Sequence, residues 1–436
     1  MKRRVGTIEL YEFPCILAFA GVMMSGSQKR LQGSPRQEHT VLPQSLICRP
    51  RELLMKTTRR GFVGTIALGT AAGVLAGTSL INKGAKAQTR ANSESGMYDN
   101  GIIQLNQNES ARGPGPKTMS ALHAHVSKRV GRGYSPDHVN ELRQGIADNY
   151  SVTTDNVQLA TGSTPLLQGS VRAFCSAEKA LVTPMPTYST SLGTARQIGA
   201  KTIEQDLDSS LAVDLNALAG AARGAGLLYL CNPNNPTGTA HGPQAVEQFV
   251  RRVMRENPAT MIHIDEAYIN YAQHGAMETA IPLAMEFENV FITRSFSKAH
   301  GMAGLRIGYA IAQQQTLAKI RGAWGMGDVN MLGAIAALTA LEDKEHIAWE
   351  AQENAEIRDM VVGVFHEMGF EVGDSNTNHI FVNIRRPAKQ FRDACLENKV
   401  LVGRDFPPLH ETHCRISLGS REEMAIAVEV FKKVLA

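Results

Sequence analysis

Lys298 lies in a segment whose residue types suit the capture of an aldehyde beside a phosphate group. The segment reads Ser-Phe-Ser-Lys over 295–298, and Arg306 follows shortly after it. A lysine amine condenses with a carbonyl group to form a Schiff base, and pyridoxal phosphate (PLP) is the aldehyde cofactor that uses this chemistry while carrying a phosphate dianion. Taken alone, such a lysine is more often an ordinary surface residue.

Polar residues follow two hydrophobic runs that read as neighbouring buried strands. The runs cover 227–230 and 261–264; Asn235 comes after the first, and Asp265 and Tyr268 come after the second. In open α/β sheets, ligands bind beyond the carboxyl ends of the strands. We therefore expect these three residues and Lys298 to share one edge of a sheet.

Each of these side chains has a chemical reason to meet PLP. A carboxylate such as Asp265, placed against the pyridine nitrogen, keeps the ring protonated and able to accept electrons. The amide of Asn235 and the phenol of Tyr268 suit the ring hydroxyl. The alternative for Asp265 is a helix N-cap after a strand. The four residues together favour the cofactor site.

Four motifs, in the same order along the chain, resemble those of the PLP-dependent aminotransferases of fold type I, classes I and II, and most of all the histidinol-phosphate aminotransferases. The resemblance extends from about Leu105 to the C-terminus. It implies transfer of an amino group between an amino acid, or an amino-phosphate such as histidinol phosphate, and a 2-oxo acid by a ping-pong mechanism. The motifs are Asn-Pro-Thr-Gly (235–238), Asp-Glu-Ala-Tyr (265–268), Ser-Phe-Ser-Lys with Gly-Leu-Arg (295–306) and Cys-Arg-Ile-Ser-Leu-Gly (414–419).

The same resemblance implies a role for each candidate site residue. The catalytic residues would be Lys298, Asp265 and Tyr268, and Tyr134 would reach the cofactor phosphate across a homodimer interface. No metal is expected. The cofactor-binding set is Gly162, Ser163, Thr164, Tyr188, Asn235, Asp265, Tyr268, Ser295, Lys298, Arg306 and Tyr134. The substrate-binding set is Arg415 for the α-carboxylate, Arg404 and Arg112 for a distal anionic group, and Asn330.

The chain also departs from the family pattern. Relatives read Asn-Glu-Asn-Pro-Tyr-Gly-Pro where residues 108–114 place Arg112 at the tyrosine position. Residues 326–330 lack the usual proline and aromatic residue, and His300 replaces a phenylalanine. The departures leave the mechanism better defined than the substrate. An amino acid with an acidic side chain would fit the positive charges of Arg112 and Arg404. The amino donor, the acceptor and the pathway stay open.

The N-terminal region resembles a twin-arginine export signal. Arg59 and Arg60 precede an uncharged stretch over 61–81, and a small-x-small site at 85–87 suits cleavage. The expectation is a periplasmic enzyme, or a membrane-tethered one if the signal is not cleaved. Met55 stands where such a signal would begin, so residues 1–54 are expected to be an over-extended start or disordered. The export machinery would then be a partner.

The order of strand-like and helical patterns predicts an α/β fold with a largely parallel sheet and helices on both faces. The family resemblance implies the PLP-transferase type I class and adds a smaller α+β domain. The expected segments are 88–145 for the N-terminal arm and part of the small domain, 146–345 for the large PLP-binding domain, and 346–436 for the rest of the small domain.

Charge and cysteine content narrow the function further. Residues 1–87 are strongly basic, so the remainder is mildly acidic although the whole chain carries a net charge of +4. That balance argues against nucleic-acid binding. The cysteines beyond residue 87 fit no metal or redox motif and are expected to be buried thiols. Two alternatives remain: a PLP-dependent decarboxylase or lyase on the same scaffold, and a non-catalytic periplasmic protein that binds PLP or amines.

Overall fold

The computed structural model describes residues 101–436, except 133, 135 and 273–275. The described residues all belong to one compact unit, Lys86–Ala436. The predicted segments 1–54 and 55–87 lie outside the described residues. None of the helices in 101–436, as described, is long and apolar enough to cross a membrane.

A seven-stranded sheet dominates this part of the chain. Its strands, in spatial order, are β2 (Val157–Ala160), β8 (Gly308–Ile311), β7 (Val290–Ser295), β6 (Met261–Asp265), β5 (Leu227–Cys231), β3 (Leu181–Met185) and β4 (Thr202–Asp206). Only β8 runs antiparallel to its neighbours, and the other adjacent strands are parallel. This arrangement confirms the predicted α/β fold.

The strands that carry site residues are hydrophobic along their whole length because both faces of the sheet are covered. Every residue of β5 and β6 is buried. Alternate residues enter two different hydrophobic clusters: Leu228 and Leu230 belong to one, and Leu227 and Tyr229 belong to the other. Helices contribute to both clusters, so the sheet lies between two helical layers, as the sequence predicted.

The described helices follow in chain order. They are α1 (Pro116–His125), α2 (Pro136–Asn149), α3 (Thr164–Phe174), α4 (Thr190–Gln197), α5 (Leu215–Gly220), α6 (Pro243–Glu256), α7 (Ile281–Glu286), α8 (Gln314–Ala323), α9 (Met331–Glu342), α10 (Lys344–Glu367), α11 (Ala388–Glu397) and α12 (Arg421–Leu435). Helix α6 shows the rule that they follow, because Val246, Phe249, Val250 and Val253 form one apolar stripe that faces the core.

A smaller α+β region is built from both ends of the described chain. Strand β1 (Ile103–Leu105) pairs in parallel with β11 (Val400–Val402). Strands β9 (Glu371–Val372), β10 (His379–Asn383) and β12 (His413–Ser417) form an antiparallel sheet in the order β12-β10-β9. A separate hydrophobic cluster joins these strands to helices α10, α11 and α12. The N-terminal arm therefore packs with the C-terminal residues; the exact predicted boundaries stay predictions.

The four cysteines of the described region are buried and unpaired. Burial raises the pKa of Cys175 and of Cys395 to about 12, which keeps both thiols protonated at neutral pH. They behave as small hydrophobic side chains in the core.

Candidate active site

A cavity of about 320 Å³ opens beyond the carboxyl ends of β5, β6 and β7. The parallel register places Cys231, the last residue of β5, beside Asp265, the last residue of β6. The cavity is lined by residues of the sheet edge, the N-terminal arm and the C-terminal strands. The predicted site residues on its wall are Ser163, Thr164, Tyr188, Asn235, Asp265, Tyr268, Ser295, Lys298, Arg306, Arg404 and Arg415.

Lys298 projects from the loop after β7 toward the N-terminal arm. Its Nζ atom donates to the carbonyl oxygens of Gln107, at 3.2 Å, and Asn108, at 2.9 Å. Burial, reinforced by the charge of Arg415, lowers the pKa of Lys298 to about 8. A substantial fraction of the amine is therefore neutral near physiological pH, which is the form that acts as a nucleophile or base.

The loop that carries Lys298 touches the arm so closely that one position requires glycine. Gly301 has a φ of +67°, and a Cβ atom there would lie 2.0 Å from the carbonyl oxygen of Gly113. Only a residue without a side chain fits this contact and this backbone conformation. The close approach brings the arm's carbonyl groups within reach of Lys298.

Asp265 is a buried carboxylate held by neutral donors. The Tyr229 hydroxyl donates to its Oδ2 atom and the Thr293 hydroxyl to its Oδ1 atom, both at 3.1 Å, and the Ala267 amide also donates to it. Burial raises the pKa of Asp265 to about 6, although these hydrogen bonds oppose the rise. No cation of the described residues is paired with it. A positively charged ligand group would stabilise the ionised carboxylate of Asp265.

Tyr268 is buried at the centre of a hydrogen-bond network. Its hydroxyl oxygen accepts from the Nδ2 atoms of Asn108, at 2.9 Å, and Asn235, at 3.3 Å. Burial raises the pKa of Tyr268, so the phenol stays protonated at neutral pH. Arg415 donates from Nη1 to the Oδ1 atom of Asn235 at 2.9 Å and from Nη2 to the carbonyl oxygen of Asn106 at 2.5 Å.

The opposite end of the cavity provides a cradle for a phosphate group. Gly162, at a φ of +78°, leads into helix α3, and Ser163 and Thr164 line the cavity where that helix begins. Arg306 bonds to the carbonyl oxygen of Ala303 and the hydroxyl of Ser297. A helix N-terminus beside a guanidinium group is a favourable anion site.

Arg404 and Arg415 form a cationic wall beside one aromatic ring. Their guanidinium carbons lie 4.3 and 4.9 Å from the centroid of the Phe406 ring. Burial, with a contribution from Arg404, lowers the pKa of Arg415 to about 10. Arg404 also donates to the hydroxyl of Ser189 at 3.0 Å. The Nε atom of Arg415 is buried without a hydrogen-bond partner in the described part of the chain. An anionic ligand group would satisfy this donor.

Four predicted site residues do not line this cavity, and one of them, Gly162, lies against Arg306 on its wall. Arg112 instead donates to the fully buried carboxylate of Glu350, at 2.6 Å from Nε and 2.8 Å from Nη2. Asn330 caps helix α9: its Oδ1 atom accepts from the Gly333 amide at 2.7 Å. The substrate-binding roles of Arg112 and Asn330 stay predictions, and the polar groups of both residues already bind within the fold. Tyr134 is fully exposed, away from the cavity of its own chain.

Sequence reasoning missed the contribution of the N-terminal arm. Backbone carbonyl groups of Asn106, Gln107 and Asn108 bind Arg415 and Lys298, and the Asn108 side chain binds Tyr268. Carbonyl acceptors leave no residue-type signal, so sequence could not have identified them. The Asn-Glu pair at 108–109 does match the family motif, and that match is the one signal that marks this segment.

The residues present fit PLP. A Cβ atom at Gly162 would lie 2.2 Å from Nη2 of Arg306, so a side chain there would displace the guanidinium group from the phosphate cradle. The buried, unpaired carboxylate of Asp265 suits a protonated ring nitrogen, and the neutral fraction of Lys298 suits an aldehyde. These three groups line, or lie against, one cavity.

Comparisons with known proteins agree with this site. Residues 100–431 match the family model "Aminotransferase class I and II". The histidinol-phosphate aminotransferase of Symbiobacterium thermophilum is 31% identical, over 78% of this chain and 92% of that protein. The corresponding enzyme of Moorella thermoacetica is 29% identical, over 79% of this chain and 87% of that protein.

A solved structure gives the same result. The histidinol-phosphate aminotransferase of Sinorhizobium meliloti, in complex with pyridoxal-5'-phosphate, is 27% identical with a TM-score of 0.67. The match covers 77% of this chain and 90% of that one. The fold, the cavity and these matches together show that the chain belongs to the class I and II aminotransferases and is a PLP-dependent enzyme of that family.

Proposed function

We propose that this enzyme moves an amino group from an anionic amino donor to a 2-oxo acid, with Lys298 as the group that attaches the cofactor and transfers the proton. The observation that carries this proposal is the placement of Lys298, Asp265 and Arg415 on the wall of one cavity. When bound, PLP supplies an electron sink for the charge left at the substrate Cα. The residues of the chain bind and orient the cofactor and the substrate, and they transfer the proton.

Each residue has a distinct task in this proposal. Lys298, once free, removes the proton from the substrate Cα as a neutral amine and later returns it. Asp265 stabilises the positive charge on the ring nitrogen, and Tyr268 and Asn235 hold the ring hydroxyl. Ser163, Thr164, Ser295 and Arg306 hold the phosphate, with Gly162 leaving space for it, and Tyr188 packs against the ring.

Arg415 and Arg404 define the class of donor. We propose that Arg415 binds the α-carboxylate, because its buried Nε atom is the donor still open. Arg404 lies beside the same ring and lines the same cavity, so a donor with a second anionic group would place that group near it. A dicarboxylic amino acid meets both requirements, and so does an amino acid that carries a phosphate. Histidinol phosphate has no α-carboxylate and brings only its phosphate to the two arginines; it belongs in the tests because relatives carry its name.

The direct test is to mix the PLP-loaded enzyme with single amino donors and record the visible spectrum of the bound cofactor. We expect an anionic donor to change the spectrum and a 2-oxo acid to restore it, with release of the corresponding oxo acid, or of the corresponding ketone from histidinol phosphate. The donors to compare are aspartate, glutamate, histidinol phosphate and alanine. Release of carbon dioxide instead of a 2-oxo acid would favour the decarboxylase alternative and contradict the proposal.

We further propose that the enzyme works as a homodimer in which Tyr134 of one protomer binds the phosphate held by its partner. Tyr134 is fully exposed, and the exposed hydrophobic residues Val126 and Val130 precede it. Such a patch is typical of a protein interface.

A hybrid dimer tests this arrangement. When a Lys298→Ala protomer pairs with a Tyr134→Phe protomer, one of the two sites combines an intact Lys298 with an intact Tyr134. We expect that site to bind PLP as tightly as the wild type does, whereas the Tyr134→Phe homodimer binds it more weakly. Weak binding at every site of the hybrid would show that Tyr134 acts within its own chain.

Finally, we propose export by the twin-arginine route to the periplasm. The support is the sequence over 57–63, which contains Arg59 and Arg60 before the uncharged stretch. PLP could then cross the membrane already bound to the folded enzyme. The test is cell fractionation of the wild type beside a variant with Arg59→Lys and Arg60→Lys. Cytoplasmic retention of both proteins would contradict the proposal.

A further inference from the structure

Asn108 lies in the N-terminal arm beside the site, and each of its backbone and side-chain polar groups forms a hydrogen bond. It is 1% exposed and has a φ of +54°, a backbone conformation that asparagine tolerates better than most residues. Its carbonyl oxygen accepts from Lys298 at 2.9 Å and from Nδ2 of Asn378 at 3.0 Å. Its side-chain amide binds Tyr268, His379 and Ser417.

Ser417 binds the oxygen of the Asn108 side-chain amide. The Ser417 hydroxyl oxygen accepts from the Asn108 backbone amide at 2.9 Å and donates to Oδ1 of Asn108 at 2.7 Å. The Nδ2 group of Asn108 faces the other way, toward Tyr268 and His379, each at 2.9 Å. Burial lowers the pKa of His379, so its ring is neutral, and the tautomer with its proton on Nε2 lets Nδ1 accept one of the two amide hydrogens.

The amide of Asn235 is fixed by an independent partner. Arg415 donates to its Oδ1 atom at 2.9 Å, and a guanidinium group can only donate. The Nδ2 group of Asn235 is therefore left to donate to the Tyr268 oxygen at 3.3 Å. Turning the Asn235 amide would place its Nδ2 group against a guanidinium donor, and turning the Asn108 amide would replace its donor to Tyr268 by an acceptor.

The hydroxyl oxygen of Tyr268 thus accepts two hydrogen bonds and has no acceptor capacity left. Its own proton has to point away from both asparagines, and Tyr268 lines the cavity. We propose that Asn108 is a positioning residue which, with Asn235, directs the proton of Tyr268 into the cavity. There the phenol donates to the ring hydroxyl oxygen of the bound cofactor and favours its anionic form. This inference rests on the proposed function of Tyr268.

The experiment is a pH titration of the visible absorbance band of bound PLP. Asn108→Gly removes the amide yet keeps the backbone conformation, and Ser417→Ala frees the amide to turn its oxygen toward Tyr268. Both changes weaken the hydrogen bond that Tyr268 donates to the cofactor. We therefore expect the pKa read from the absorbance of bound PLP to rise by about one pH unit, as for the loss of a hydrogen bond to a charged group. Tyr268→Phe should give a rise of similar size.

The deciding measurement repeats both substitutions in the Tyr268→Phe background. If Asn108 acts through the hydroxyl of Tyr268, neither substitution raises the pKa further in that background. An equal rise with and without the hydroxyl, or no rise in the wild-type background, would overturn the proposal. If Asn108→Gly fails to fold, Ser417→Ala carries the same test. A wild-type enzyme with no cofactor band would instead contradict the proposed function itself.

Discussion

The guanidinium group of Arg306 lies against the backbone of Gly162, so close that a Cβ atom at Gly162 would fall 2.2 Å from its Nη2 atom. Gly162 also has a φ of +78°. The φ angle favours glycine where the phosphate cradle meets helix α3, and the contact means that a side chain there would displace the guanidinium group of Arg306. The contact joins the first strand–helix connection of the large sheet to the loop after Lys298.

Gly162→Ala should therefore weaken PLP binding beyond the effect of backbone strain. The matched control is Gly224→Ala, because Gly224 has a φ of +69° and a Cβ atom added there would meet nothing within 4 Å. We expect each variant to lose roughly 1–2 kcal/mol of unfolding free energy from the left-handed conformation. Only Gly162→Ala should also raise the Kd for PLP, at least tenfold. Equal PLP affinity in the two variants would contradict the cradle.

Asp265→Asn should slow catalysis far more than it weakens cofactor binding. The amide keeps the size of the carboxylate but cannot stabilise a positive charge on the ring nitrogen, so kcat should fall roughly a hundredfold or more. Asp206→Asn, at the exposed end of β4, is the control and should leave kcat unchanged. Steady-state kinetics and equilibrium PLP titration separate the two effects. A variant with near-normal kcat would remove Asp265 from the proposed mechanism.

The rate of PLP uptake by the cofactor-free protein should follow the ionisation of Lys298. A lowered pKa means that the neutral amine accumulates as pH rises toward 8, so the rate should rise roughly tenfold between pH 6 and 7 and level off above about 8. Stopped-flow absorbance measures this rate. Glu109→Gln should move the curve to lower pH, because the Glu109 carboxylate raises the pKa of Lys298. A plateau reached only near the usual lysine pKa of 10.5 would contradict the assignment.

Changing Arg112 to glutamine should lower stability without changing donor preference, whereas changing Arg404 to glutamine should change donor preference without lowering stability. Arg112→Gln leaves the fully buried Glu350 without its cationic partner, which should cost about 3–5 kcal/mol of unfolding free energy while donor preference stays the same. Arg404→Gln should change stability by less than about 0.5 kcal/mol, because Arg404 is exposed. It should raise KM for dianionic donors more than for alanine. A changed donor preference in Arg112→Gln, measured where the variant is folded, would support the substrate-binding role predicted from sequence.

The sheet and its functional edge were predictable because their signals are local. Hydrophobic runs at 227–230 and 261–264 predicted two buried strands, and the structure has them as β5 and β6. Parallel strands end at the same edge, so the residues that follow them, Asn235 and Asp265, had to lie close together. The structure brings both to one cavity.

Partners distant in sequence were not predictable. Arg112 reads as a free cation beside the family motif, and nothing local shows that Glu350, from helix α10, binds it. The acceptors of Lys298 are backbone carbonyl groups, which any residue type supplies. The proposed role of Tyr134 involves a second copy of the chain, whose position no local sequence signal encodes.

The central claim is that Lys298 carries the amino-group transfer, and the most direct test is a single-turnover assay of Lys298→Ala. The variant and the wild type would each be saturated with PLP and mixed with the donor that the wild type uses best. The carbonyl product released from the donor, a 2-oxo acid or a ketone, would be measured over time. We expect release in the wild type and essentially none in the variant, whose circular dichroism should match the wild type. Release by Lys298→Ala at a rate near that of the wild type would contradict the account.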